Sequence, residues 1–187
     1  MRQGPARRWI ERVHVKKKAW LAINLVGGLA VLGSYVHGLA THPETRNGLW
    51  GSIPPELQAV YNVTMWLAAG GYFFFSYYFL VRTDADEVRF GRFGFGLING
   101  LYALVMVTSA LWMPLTFAYF EQQTPGIWLA VRVDLLGVAV GSIGLMIALF
   151  TMRPRAEGLA GVLALLGLLL FALQTAFLDP LVWPQFF

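Results

Sequence analysis

No cysteine occurs anywhere in the chain. That excludes disulfides, thiolate metal sites and cysteine nucleophiles, and it leaves the redox compartment undetermined. Charge is nearly as scarce, with 13% of the residues charged. A soluble domain of this length needs far more polar surface. A hydrophobic content of 57% and a mean hydropathy of +0.59 place the chain among membrane proteins. Histidine is limited to three residues, and of these His37 alone lies well inside an apolar run. A bis-histidine haem held within the chain is therefore excluded, while one-histidine ligation of a haem or chlorophyll stays open. There is no H-E-x-x-H motif, no carboxylate pair at useful depth and no serine with an evident His–Asp partner. The templates for metal-assisted or nucleophilic catalysis are not met, and the chain does not read as an enzyme.

What the chain has in abundance is long apolar runs. Five of them, about residues 19–40, 57–81, 93–120, 127–152 and 159–178, are long enough as helices to cross ~30 Å of hydrocarbon at ~1.5 Å per residue. The expected fold is an all-α membrane protein, a bundle of five transmembrane helices in one domain spanning residues 19–187. Periodicity adds little, because these helices are apolar all round. The breaks between runs are polar or rich in Gly and Pro: THPETRNGLWGSIPP, RTDADEVRFGR, EQQTPG and RPRAEG. Small residues recur at packing spacing in Gly96/Gly100, Gly137/Gly141 and Ala68–Gly71, where helix backbones can approach closely.

Basic residues are distributed unevenly. Seven of the fourteen Lys/Arg fall in the first eighteen residues, a juxtamembrane tail suited to anionic lipid at the membrane surface rather than to nucleic acid. The run that follows is too long for a signal-peptide core of ~7–15 residues, so it reads as an uncleaved first span. With the second and fourth connections added, one face carries twelve Lys/Arg and the other carries Arg46 alone. The positive-inside rule then predicts a cytoplasmic N-terminus and an outside C-terminus, in a membrane of the bacterial inner or plasma type.

Two charges interrupt the fourth run: Arg132 and Asp134. A charge at mid-bilayer costs on the order of 2.5–3.5 kcal/mol on insertion scales, so a partner or a purpose is expected. Counting ~1.5 Å per residue from the outer boundary puts both roughly 8–11 Å deep. His37, Asn62, Trp66, Trp112 and Gln174 fall in the same outer third. Each has a plainer reading. His37 suits an interfacial position, Trp128 and Trp183 suit an aromatic belt, and Arg132 can snorkel along its own stem. Asp134 is too short to do so and needs a donor from another helix. His37, Asn62, Trp112 and Gln174 are the candidates.

The stretch Trp112-Met113-Pro114-Leu115-Thr116-Phe117 resembles the W-x-P-L-x-F element that ends the third helix of the TspO/translocator-protein family, the tryptophan-rich sensory proteins. Pro125-Gly126 and Asp134 correspond to that family's Pro-Gly turn and fourth-helix aspartate. Trp50, Pro54-Pro55, Tyr61 and Trp66 follow the order of its first outer loop and second helix, and the ALQTAFLDPLVW close weakly resembles its ending. The resemblance implies a five-helix bundle with a pocket beneath the first loop for a porphyrin, a sterol or a similar planar apolar molecule. The expected lining is His37, Trp50, Asn62, Trp66, Trp112, Arg132, Asp134 and Gln174. Trp50, between Gly48 and Gly51, would act as a lid, and Arg132 would meet a ligand carboxylate such as a porphyrin propionate. The competing expectation is an accessory subunit of a larger respiratory or photosynthetic membrane complex. A homodimer is a further possible assembly.

Overall fold

The computed structural model describes residues 15–187. The surface placement expected for the basic tail therefore lies mostly outside the described residues. Five helices follow: α1 Val15–Thr41, α2 Pro55–Tyr77, α3 Gly96–Gln122, α4 Pro125–Thr151 and α5 Gly158–Ala172. Their ends have local causes. Pro55 opens α2 after an extended Pro54, at the first helical position where a missing N–H costs nothing. Thr124 caps α4 by accepting from the Ile127 amide at 3.4 Å, again with a proline just inside the helix. α3 stops where Gln123 turns left-handed at φ 48°.

Two helices do not end where their α-geometry does. α2 winds on through a π turn, Tyr78–Arg82. α5 continues through ten residues of π-helix, Leu173–Val182, and a 3₁₀ turn, Trp183–Phe186. The sequence reading let DPLVWPQFF trail outside the last span. The chain instead keeps winding, because a wider turn tolerates Pro180, which lacks an N–H and would crowd a preceding carbonyl in an α-helix. One feature is not helical. β1 Arg89–Phe90 pairs antiparallel with β2 Met152–Arg153, which ties the second connection to the fourth.

Among the described residues, four helical segments are long and apolar enough to cross a membrane: Val15–Thr41, Gly96–Gln122, Pro125–Thr151 and Gly158–Phe186. The protein is thus a mostly helical membrane protein. α2, at 23 residues, is comparably long, but Gln58, Tyr61, Asn62 and Thr64 make it more polar. Large apolar side chains stand exposed around the bundle, among them Leu25, Leu29, Leu32, Val36, Phe73 and Phe150. Such a surface suits hydrocarbon and not water.

The helices pack in the order α1, α3, α4, α5, α2. Small residues set the closest approaches. A Cβ on Gly71 of α2 would lie 2.5 Å from the Gly167 carbonyl oxygen of α5, so those backbones touch. Between α3 and α4, Gly137, Gly141 and Gly144 receive Thr108, Val105 and Leu101. Gly96 and Gly100, expected to pack in the same manner, face open space.

Each helix runs from one end of the bundle to the other. At the end holding β1 and β2, Lys16 pairs with Asp86 at 3.2 Å. The Asn99 amide there donates to the Lys16 carbonyl at 3.0 Å. An aromatic core of Trp20, Phe75, Phe79, Phe95 and Tyr102 fills the adjacent half. At the opposite end the first loop, the α3–α4 turn and the C-terminus meet around Trp50, Tyr61, Trp112, Trp128 and Trp183.

Candidate functional site

One group of buried polar side chains lies just below this second aromatic cluster. Gln174 is their hub. Its amide nitrogen donates to Asp179 Oδ1 at 2.6 Å, and its carbonyl oxygen accepts from Thr64 Oγ1 at 2.6 Å. Gln174 and Asp179 are five residues apart. In an α-helix they would point in different directions, but in the π segment the repeat lengthens towards five residues and brings them together. The pairing also joins α5 to α2, and Tyr61 Oη adds a bond to the Leu178 carbonyl at 2.8 Å.

The same half of the bundle holds groups whose hydrogen-bonding capacity is unused. Asp134 of α4 is buried at 6% exposure, and its Oδ2 has no partner. Trp112 Nε1 and Thr116 Oγ1, one turn apart on the same face of α3, are likewise buried and unpartnered. Burying a polar group unpaired costs ~1–3 kcal/mol by protein mutational data, and Trp20 Nε1 and Asn99 Oδ1 at the other end of the bundle are unpartnered too. Tyr35 of α1 packs against this face of α3, its ring 5.6 Å from that of Trp112.

Over this cluster lies a cap. Trp183, 5% exposed, donates Nε1 to the Leu49 carbonyl at 2.9 Å, and its ring packs 5.8 Å from Trp112. Ser52 donates both its amide and its hydroxyl to the Phe186 carbonyl, at 3.1 and 2.9 Å. Trp50 stands edge-on to Tyr61 at 6.3 Å. At the rim, His42 stacks on Phe117 at 4.2 Å and pairs with Glu121 at 3.2 Å. The first loop is thereby fastened to the C-terminus and to the end of α3.

The eight residues expected at the site divide evenly. Trp50, Trp112, Asp134 and Gln174 come together in the cap and the cluster beneath it. His37, Asn62, Trp66 and Arg132 are exposed on the outside of the bundle. Helix geometry accounts for the split. Residues two apart on a helix of ~3.6 residues per turn diverge by more than half a turn. Tyr35 facing in thus turns His37 out, and Asp134 facing in turns Arg132 out. Asn62 and Trp66 share a face four residues apart, and the inner face of α2 belongs instead to Tyr61, Thr64 and Ala68. Asp134 finds none of its four expected donors. Sequence reading missed Tyr35, Thr64, Thr116 and Asp179, and it assigned Trp183 to the membrane interface, whereas its ring is buried beneath the first loop. Asp179-Pro180, an acid before a proline directly after an apolar run, was the available signal for a distorted helix end.

Among the described residues no group of three or more His, Asp or Glu is placed to hold a metal ion. What the cluster offers is two acids, three hydroxyls and an indole N–H, enclosed by aromatic faces. Comparison of the chain with protein-family models, curated proteins and solved structures gives no match.

Proposed function

We propose that this protein binds, and in binding carries or delivers, a planar apolar small molecule of the tetrapyrrole or sterol kind, at the polar cluster between α1, α3, α4 and α5 beneath the first loop. The single observation that carries this reading is the trio of buried, unpartnered polar atoms on Asp134, Trp112 and Thr116 under an aromatic cap. A bundle built only for stability would fill such positions with apolar side chains. Tyr35 supports a route in from lipid. It keeps 36% of its surface exposed while its ring lies 5.6 Å from that of Trp112. α1 packs chiefly on α3, and among the described residues a single side-chain hydrogen bond, Tyr72 to Asn24, joins it to α2.

The orientation that goes with this reading has five spans, a cytoplasmic N-terminus and the polar cluster in the outer half of the membrane. Its support is the asymmetry of twelve Lys/Arg against one between the two sets of connections. The test of function is tryptophan-quenching titration of the purified protein with a porphyrin and with a fluorescent sterol. Saturable binding of at least one, weakened by Trp112→Phe, is expected. No saturable binding of either removes the reading.

A second reading has its own observation. α2 exposes Trp66 at 80% and Phe73 at 71%, an aromatic face suited to another membrane protein. An accessory subunit would leave a mild-detergent extract as part of a large assembly. A binding protein of the proposed type runs as a monomer or dimer.

A further inference from the structure

The end of the bundle opposite the polar cluster carries two adjoining cavities of different chemistry. The first, about 280 Å³, lies between the end of the α2 winding and the fourth connection, lined by Tyr78, Arg82, Thr83, Asp84, Arg155 and Glu157 among others. The second, about 340 Å³, is apolar and lies between the last turn of α4 and the first two turns of α5, against Leu149, Phe150, Ala156, Val162 and Leu165. Arg155 lines both. Phe150 and Val162 are exposed on the outside of the bundle, so the apolar cavity is a groove open to lipid.

The charges of the first cavity are not matched from within. Among the described residues, neither Arg82 nor Arg155 has a carboxylate within ion-pair distance or a hydrogen bond from its side chain. Asp84 is engaged in its own turn, where Oδ1 accepts from the Asp86 and Glu87 amides at 2.8 and 3.4 Å. Glu157 is exposed and forms no ion pair among the described residues. The short sheet beside the cavity adds a further sign. Its register sets Arg89 directly opposite Arg153, with Phe90 and Met152 turned inward, and Met152 forms part of the cavity wall. Like charges directly opposite destabilise a strand pair, and an anion close by offsets that.

The planar fork of arginine matches phosphate oxygens, and basic pockets between helix ends are suited to phospholipid head groups. We infer that the two cavities hold one phospholipid with an amine-bearing head group, of the phosphatidylethanolamine kind. Its phosphate lies between Arg82 and Arg155, its ammonium at Glu157, and one acyl chain along the groove formed by Phe150, Val162 and Leu165. Such a head group answers both signs of charge in the cavity, which a second anion would not. The adjoining groove selects a lipid over a soluble phosphate, which has no apolar part to place there. This site stands apart from the polar cluster beneath the first loop, and neither depends on the other.

Native mass spectrometry of the full-length protein, released from an uncharged detergent, counts bound lipid and gives its affinity. The probes are phosphatidylethanolamine, phosphatidylglycerol and diacylglycerol with the same acyl chains, with inorganic phosphate as competitor. One copy of phosphatidylethanolamine should bind saturably, about tenfold or more tighter than diacylglycerol, because charge-assisted hydrogen bonds to phosphate are the strong ones. It should also bind tighter than phosphatidylglycerol. Arg82→Gln and Arg155→Gln should each remove most of the advantage over diacylglycerol, and Glu157→Gln should remove the advantage over phosphatidylglycerol. Val162→Trp, which fills the groove, should weaken all three lipids. Arg92→Gln, at the same end but outside both cavities, should change nothing. Equal binding of diacylglycerol by the wild type overturns the site, and phosphatidylglycerol binding as tightly as phosphatidylethanolamine overturns the place of the amine. A loss in Arg92→Gln as large as that in Arg155→Gln shows attraction to a basic surface in general and overturns the site as well. Displacement of the lipid by inorganic phosphate assigns the cavity to a soluble anion and overturns the lipid. The substituted side chains are all exposed, so the variants should fold as the wild type does; where one does not, the wild-type ranking of the probes decides.

Discussion

Trp183 reaches across the mouth of the bundle and donates its indole N–H to the backbone carbonyl of Leu49, 134 residues away, at 2.9 Å. Through that bond the last turn of the chain fixes the height of the first loop, and Trp50 with it. Ser52 makes the same connection from the loop side by donating to the Phe186 carbonyl. The cap over the polar cluster is therefore a joint between the first loop and the C-terminal turn.

Removing that bond while keeping the ring should loosen the cap. Trp183→Phe is expected to cost about 1 kcal/mol, the net worth of one hydrogen bond. In a chain of this length that lowers the melting temperature by about 2–4 °C. Hydrogen exchange should accelerate at residues 46–52 and stay unchanged in α3 and α4. Uniform acceleration through the bundle would show that Trp183 acts as general packing and not as a latch.

The closest helix contact gives a sharper test. Gly71→Ala places a Cβ 2.5 Å from the Gly167 carbonyl oxygen, and backbone cannot step aside as a side chain can. Overpacking of this kind costs typically 1–3 kcal/mol. Gly70→Ala is the control, because nothing lies within 4 Å of its Cβ. It should be neutral or slightly stabilising, since alanine is the better helix former. Similar melting temperatures for the two variants in detergent would contradict the α2–α5 contact.

These positions also show what was legible beforehand. The number of helices and most of their boundaries follow from lengths of apolar sequence and from Pro, Gly and Thr at the breaks, because those features act locally. Pro55 and Pro125 each open a helix for reasons visible within four residues. The facing of each helix was not legible. Where every side is apolar, the pattern does not say whether Tyr61 or Asn62 points inward, and a shift of one residue turns a side chain by more than a quarter turn. Asp134 and Arg132 illustrate the limit. Depth put them together, and rotation about α4 put one inside and the other outside. The Gln174–Asp179 pair was invisible for a different reason, since five-residue spacing brings side chains together only in a π-helix.

Orientation can be tested cleanly because the chain has no cysteine of its own. Glu87→Cys lies in the second connection and Gln122→Cys at the end of α3, both at exposed positions at opposite ends of the bundle. With a cytoplasmic N-terminus, a membrane-impermeant maleimide should label Gln122→Cys in intact cells and Glu87→Cys only after lysis. The reverse pattern would invert the proposed topology and move the polar cluster to the cytoplasmic half.

The last prediction concerns the hub. Gln174 is 4% exposed and stands between Thr64 and Asp179, giving one hydrogen bond and receiving another. Gln174→Leu nearly preserves volume but leaves Asp179 Oδ1 without its donor, so a loss of about 1–3 kcal/mol is expected. Thr64 suffers less, because its hydroxyl also reaches the Val60 carbonyl at 2.9 Å. The cost should therefore come mainly from the stranded acid, and removing that acid should recover most of it. A double-mutant cycle with Asp179→Leu isolates this term, with an expected coupling of about 1–3 kcal/mol between the two residues. Thermal unfolding of the two single variants and the double variant in one detergent measures it. If the double variant loses the sum of the two single losses, the pair is not coupled and the π segment owes its shape to Pro180 alone. If the double variant is as stable as Asp179→Leu by itself, Gln174 is there to hold the carboxylate, and the wide turn of α5 is the geometry that allows it to do so.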